Sequence, residues 1–263
     1  MFSTSGFLFQ TQEPNIMSIT VAKFGGTSLA TKENFERVKA IIFSDPNRSI
    51  IIVSAPGKRF IDDTKITDLL ERVAGRYSEL GQDFRDDIVM LGEYFMAKAM
   101  ANAIGFEFVD IQKTGVISFD ENGEVDLKAC SKAFEKFKGK RLVIPGFYGR
   151  MPNGQVKTFS RGGGDITGGI VANIAGADLY ENWTDVGGFY SSDPNKSGDA
   201  MNIPFLSYEQ AASLCNSGAS VLHPSCIPFA EAKKIPIRVL NTFNTSQRGT
   251  LIAAKTEYKK LTE

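Results

Sequence analysis

The chain has one histidine, one tryptophan and three cysteines among its 263 residues, and each shortage excludes something. Cys130, Cys215 and Cys226 fit no zinc-ligand spacing, and an odd number leaves one without a disulfide partner. A reducing, cytoplasmic setting is the simplest expectation. His223 stands alone between apolar neighbours, so neither a histidine-rich metal site nor a Ser-His-Asp triad is attractive, and a core or cap histidine is expected. Charge of one sign is also missing: Lys+Arg and Asp+Glu both total 30. Without a basic excess, nucleic acid is not an expected partner. No apolar run approaches the roughly 20 residues of a membrane-spanning helix, so no membrane partner is expected. Residues 1–16 carry a single charge, Glu13, and lack the basic start and long apolar stretch of a secretory signal. They read as a disordered leader or an upstream start ahead of Met17. No internal repeat or long low-complexity segment is present, and the P-loop pattern GxxxxGK[ST] is absent.

What remains is an alternation of β-branched runs and helical segments. Ile19–Ala22, Ser49–Ser54, Arg141–Pro145 and Ile235–Leu240 read as strands. Asn34–Phe43 has apolar residues at helical spacing, Ile88–Ala103 reads as one apolar helix, and Ile166–Gly176 and Tyr208–Ser217 read as two more. Lys113–Val125 interrupts the rhythm with a hairpin turning at Asp120–Gly123. Helices between strands imply an α/β fold around a mostly parallel sheet.

Two glycine-rich corners carry the chemistry. In KFGGTS, Lys23 ends a strand, Gly25 and Gly26 let the backbone turn, and Thr27 or Ser28 could cap the helix beginning near Thr31. Such a corner points backbone N–H groups into a small volume, and Lys23 adds a cation, which suits phosphate. In SRGGGDITGG, Gly162, Gly163 and Gly164 permit close backbone approach, Arg161 offers a fork for carboxylate or phosphate, and Asp165 is placed to cap the following helix. A plain structural turn with a surface arginine is the bland alternative.

Other segments are suggestive. Thr184 and Asp185 end an apolar strand before Gly187-Gly188, with Tyr190 beyond to shelve a base or close the core. Ser54 ends a strand; Lys58, Arg59, Asp62 and Asp63 form a polar loop; Thr67 starts a helix. Glu93 sits in an apolar helical stretch, where burial demands a partner such as Arg161 or a substrate ammonium; a solvent-facing Glu93 is the alternative. Asp83, Asp86 and Asp87 read as a solvated face, and Phe229 and Phe243 as core.

Taken in order, KFGGTS (Lys23–Ser28), Ser54–Leu70, Gly92-Glu93, SRGGGD (Ser160–Asp165), WTDVGGFYSSDP (Trp183–Pro194) and GASVLHP (Gly218–Pro224) resemble the aspartokinases, within the amino-acid kinase group, from about Ile19 to Ile252. The resemblance implies a three-layer αβα sandwich around a mainly parallel eight-stranded sheet. Residues 17–254 would form one domain, with about 17–150 as the amino-acid lobe, about 151–254 as the nucleotide lobe, and 255–263 as a polar tail. It implies ATP-dependent phosphorylation of the L-aspartate side-chain carboxylate, with Mg²⁺ held mainly through the nucleotide. Lys23 would bridge the transferring phosphoryl oxygens and Asp165 would hold it in position. Gly25, Gly26, Ser28, Gly162 and Gly163 would line the phosphate corner. Ser54 and Thr67 would border the aspartate, Glu93 would meet its ammonium, and Arg161 its α-carboxylate. Thr184, Asp185 and Tyr190 would lie along the nucleotide. A homodimer, and a separate regulatory subunit, are further expectations.

The sequence departs from the family pattern at Ser160 and Gly164, at Thr67-Asp68, and at Ser220 and Asn195, where positive charge near the polyphosphate is lost. The Leu70–Glu93 stretch is short, which implies a more open substrate lobe, and the sequence ends before the paired ACT regulatory domains typical of the family, as expected of a catalytic-only form, of one that relies on a separate regulatory subunit, or of a fragment. A kinase for another acidic substrate, and a weakly active or non-catalytic subunit retaining the fold, remain open as alternatives.

Overall fold

The computed structural model describes residues 18–159, 162–192 and 199–255. Among the described residues ten strands form in chain order: β1 (Thr20–Phe24), β2 (Arg48–Val53), β3 (Glu107–Phe108), β4 (Leu142–Pro145), β5 (Tyr148–Arg150), β6 (Val156–Thr158), β7 (Leu179–Thr184), β8 (Phe205–Leu206), β9 (Ile237–Asn241) and β10 (Thr250–Ile252). The α-helices are α1 (Lys32–Phe43), α2 (Ile66–Gly75), α3 (Gly81–Val89), α4 (Leu91–Ile104), α5 (Ile111–Thr114), α6 (Leu127–Phe134), α7 (Gly163–Ala175), α8 (Tyr208–Asn216) and α9 (Ile227–Glu231). Eight strands make one sheet in the order β3-β4-β2-β1-β7-β9-β10-β8, and β5 and β6 form a separate antiparallel hairpin. In the main sheet only the β9–β10 pairing is antiparallel.

Every residue of β1 is buried, as a strand covered on both faces must be. Its alternation sorts the two cores. Ala22 and Phe24, with Ile51 and Val53 of β2 and Trp183 of β7, meet Val38, Ile41 and Ile42 of α1 and Met100 of α4. Val21, with Ile50 and Ile52 of β2 and Tyr180 of β7, lies in the other core with Ile166 and Ile170 of α7 and Phe134 of α6. Helix–sheet–helix layering is thus the consequence of a period-two pattern meeting two apolar helix stripes. Each large side chain so buried contributes about 1.5–3 kcal/mol. Among the described residues no helix is long and apolar enough to cross a membrane.

The expected strands form within a few residues of their sequence bounds. The hairpin turn at Asp120 is also present: Asp120 Oδ1 accepts from Asn122 N and Glu124 N, both at 2.9 Å, and Phe119 pairs antiparallel with Val125. Three local expectations are corrected. Neither Thr27 nor Ser28 caps α1: Thr31 does, its Oγ1 accepting from Asn34 N at 3.2 Å, while Thr27–Leu29 wind into a 3-10 turn. Asp165 does not cap α7. Gly162 is the cap residue, and its φ of +79° carries the chain directly into a helix that begins at Gly163, leaving Asp165 in the first turn with no capping role for its carboxylate. The apolar stretch after Ile88 is divided, α3 ending at Val89 and α4 starting at Leu91. Asp86 explains why α3 takes its own direction. It is 3% exposed rather than solvated, and accepts from Thr158 N at 3.2 Å and Thr158 Oγ1 at 2.8 Å, tying α3 to β6.

Candidate active site

The carboxyl ends of β1, β2 and β4 open into a cleft of about 710 Å³, where an α/β sheet places its ligands. Lys23, on β1, is 8% exposed. Its Nζ donates to Asp165 Oδ1 at 2.6 Å, so the two glycine corners meet across one space. Asp165 is fully engaged: Oδ1 also accepts from Asn182 Nδ2 at 3.2 Å, and Oδ2 from the His223 backbone N–H at 2.8 Å. A buried carboxylate needs such partners, and these fix its orientation. His223 is a cap histidine, its Nδ1 accepting from Ser225 N at 3.3 Å.

The floor of the cleft depends on backbone contact. Gly57 N donates to Gly26 O at 2.8 Å, and a Cβ on Gly57 would stand 2.7 Å from the Gly26 carbonyl carbon. A Cβ on Gly164 would lie 2.9 Å from Ser54 Oγ and 3.3 Å from Lys23 Cε. The glycines therefore leave space beside the Lys23 ammonium that any side chain would fill.

Glu93 lies in the first turn of α4 and is 4% exposed. It accepts from the Ala55 and Glu93 backbone N–H groups, yet its Oε2 is buried without a partner among the described residues. Burial pushes its pKa up to about 7, outweighing those hydrogen bonds. A buried acceptor with no donor, on the wall of a polar cleft, is a vacancy for a cationic or N–H-bearing ligand group.

The cleft brings together Lys23, Gly26, Ser54, Thr67, Glu93, Gly162, Gly163 and Asp165. Gly25 stands just behind, its N–H donating to Trp183 O at 3.1 Å. Ser28 points elsewhere: it is fully buried and shares a 2.7 Å hydrogen bond with Thr242 Oγ1. Thr184 and Asp185 lie at the end of β7, outside the cleft wall, with Thr184 Oγ1 donating to Asp185 Oδ1 at 3.2 Å. Tyr190 follows them, bridged to Asn202. Arg161, Ser160 and Asn195 lie outside the described residues.

Sequence reasoning missed Lys65, Glu71, Arg85, Phe147 and Phe159 on the cleft wall. Phe147 had a readable signal, since it follows Pro145-Gly146 at a strand end; its φ of +79° is rare for a residue with a side chain and marks a constrained position. Glu71 and Arg85 gave none, because nothing local in α2 or α3 shows that the two helices face each other. Phe243 is not core: it is 39% exposed beneath the Arg37 guanidinium, whereas Phe229 is partly buried against the core as expected.

Residues 18–241 match the model of the amino acid kinase family. The chain belongs to that family. The chain is 33% identical to aspartokinase 3 of Bacillus subtilis (strain 168) across 89% of its own length and 63% of that protein's. The crystal structure of Clostridium acetobutylicum aspartate kinase superposes with a TM-score of 0.80 at 39% identity, covering 91% of this chain and 63% of that one. Escherichia coli aspartokinase III, solved in complex with aspartate and ADP, superposes with a TM-score of 0.79 at 23% identity and shows the shared fold. It is covered to 65%. The chain therefore spans somewhat less than two thirds of the length of each of these relatives.

Proposed function

We propose that this amino acid kinase transfers the γ-phosphoryl group of ATP to the side-chain carboxylate of L-aspartate, giving 4-phospho-L-aspartate and ADP. The observation that carries the reading is the single cleft holding the Lys23–Asp165 pair and the unpartnered Glu93 oxygen. One end can neutralise phosphoryl oxygens and the other can accept an ammonium. Similarity to the Bacillus and Clostridium aspartate kinases over nine tenths of the chain supports the same substrate pair.

The acceptor is already ionised near neutral pH, so no general base is required. A carboxylate oxygen forms a bond to the γ-phosphorus as the bond from that phosphorus to the β,γ-bridging oxygen breaks, and ADP leaves with the electron pair. Lys23 donates to the phosphoryl oxygens as their charge redistributes, and Asp165 holds the ammonium where it is needed. Glu93 orients the amino acid through its ammonium; Arg161 is assigned its α-carboxylate. Phe147 and Phe159 supply apolar wall to the same cleft. Thr184, Asp185 and Tyr190 would flank the nucleotide from the neighbouring strand end. Mg²⁺ would be held mainly through the ATP phosphates. There it would supply neutralisation of the phosphate charge.

Incubation with ATP, Mg²⁺ and L-aspartate, with hydroxylamine to trap the acyl phosphate, tests the reading. Aspartyl hydroxamate formed in step with ADP is the expected result. ADP release with L-glutamate or another acid, and none with L-aspartate, would assign a different substrate.

A further inference from the structure

Arg85 is the one guanidinium on the cleft wall among the described residues, and its five donors are divided unequally. Nη1 is permanently committed. It donates to Asp86 Oδ1 at 2.8 Å, and Asp86 is in turn buried and held by Gln82 Nε2 at 2.8 Å and by Thr158. Nε and Nη2 form the opposite, fork-shaped edge. That edge takes the Glu71 carboxylate of α2 in a bidentate pair, Nε to Oε2 at 3.0 Å and Nη2 to Oε1. Asp86 is 4% exposed at its side chain, whereas Arg85 and Glu71 are 35% and 36% exposed at theirs. One carboxylate is therefore an anchor and the other sits at the solvent-facing mouth. The Arg85–Glu71 pair also lines a second hollow, of about 240 Å³, between α2 and α3 beside Ala74, Ser78 and Gln82. A released Glu71 has somewhere to go.

We infer that the Nε/Nη2 edge of Arg85 is a second guanidinium contact for the substrate's α-carboxylate, beside the one assigned to Arg161, and that Glu71 is a built-in stand-in which that carboxylate displaces. The inference rests on the proposed acidic amino-acid substrate and adds a residue to its recognition. Its chemistry is a like-for-like exchange: a planar fork preorganised for one carboxylate accepts another with the same geometry. Charge favours the exchange. Among the described residues the cleft wall carries Asp68, Glu71, Glu93 and Asp165 against Lys23, Lys65 and Arg85, so a dicarboxylate entering beside a fixed Glu71 would meet local repulsion that Glu71's withdrawal relieves. Arg85 is preassembled by Asp86 and Thr158 and needs no rearrangement, which lowers the cost of binding.

Calorimetric titration of L-aspartate into wild type, Glu71→Gln and Arg85→Lys, without nucleotide, separates this from a structural brace. If Glu71 competes for the fork, Glu71→Gln binds L-aspartate tighter, by roughly two- to fivefold, the range of a partly exposed ion pair. Arg85→Lys loses the bidentate edge and binds about tenfold weaker or worse. Circular dichroism shows whether each variant is folded, and Glu71→Gln keeps the size and reach of the original side chain. Unchanged or weaker binding in Glu71→Gln, wild-type binding in Arg85→Lys, or no binding to any of the three would overturn the inference. The hydroxamate assay on the same samples keeps the two readings apart. Turnover of L-aspartate with no tightening in Glu71→Gln rejects the subsite and leaves the reaction; tightening without turnover supports the subsite and rejects the reaction.

Discussion

Lys23 and Asp165 come from opposite halves of the chain and meet at 2.6 Å, each about a tenth exposed. Asp165 spends its remaining acceptor capacity on Asn182 and the His223 backbone, so it positions the ammonium without depending on it. Replacing Lys23 by Met should leave a folded protein whose phosphoryl-transfer rate falls by at least about 10²–10³-fold, the range seen when one transition-state donor is removed. Steady-state ADP release checks this, with the melting temperature showing that the fold survives.

Glu93 gives a pH dependence with a defined sign. Its carboxyl is held up to about 7 by burial, so the free protein near pH 6 carries it mostly neutral. An ammonium-bearing substrate needs the ionised form. The kcat/KM for L-aspartate should therefore rise as pH climbs through about 7, while kcat changes less, because the bound ammonium stabilises the carboxylate. Glu93→Gln should abolish that rise. A profile flat from pH 6 to 8 in wild type would contradict the role.

The same group sets a stability difference. A carboxyl with a folded-state pKa of about 7, above its ordinary 4.5, favours folding fully below pH 4.5 and loses that contribution as pH rises to 7. Glu93→Gln should match wild type near pH 4 and exceed it by about 2–3 kcal/mol near pH 8. Denaturant titrations at the two pH values measure the difference.

Much of this architecture was legible beforehand, because parallel strands buried on both faces read as continuous apolar runs and α1 keeps its 3.6-residue period. Both glycine corners were legible through residue types that leave few uses: Lys23 before two glycines, Asp165 after three. What failed depended on conformation or long-range pairing. The positive φ of Gly162 starts α7 early and turns Asp165 from cap to partner. Asp86 in GQDFRDDIV looks like one of three solvated acids until β6 supplies Thr158. Ser28 belongs by sequence to the phosphate corner, yet Thr242, contributed from just past β9, claims its hydroxyl.

Close approach of Gly26 and Gly57 makes a test of the cleft floor. Gly57→Ala would put a methyl 2.7–2.9 Å from Gly26 and Thr27 backbone atoms, with no flexible side chain to yield. The loops must separate, costing about 1–3 kcal/mol, and kcat/KM for ATP should fall. Thermal melts and initial rates at varied ATP follow both effects.

Arg48 and Glu181 provide the contrasting case. Arg48 Nε donates to Glu181 Oε2 at 2.7 Å, Trp183 Nε1 donates to the same oxygen at 2.8 Å, and neither charged residue lines the cleft. Glu181→Ala leaves the partly buried Arg48 guanidinium with Ile41 O and Ser44 Oγ as its acceptors and removes its charge partner, and should destabilise by about 1–3 kcal/mol. KM values for both substrates should be unchanged in the folded fraction, which separates scaffold from site.

The most direct measurement is paired detection of ADP and aspartyl hydroxamate from ATP, Mg²⁺ and L-aspartate, in wild type and Lys23→Met side by side. Equal amounts of the two products in wild type, and near absence of both in the variant, are expected. Equal rates in the two proteins, or ADP formed without hydroxamate, would contradict phosphoryl transfer to L-aspartate at Lys23.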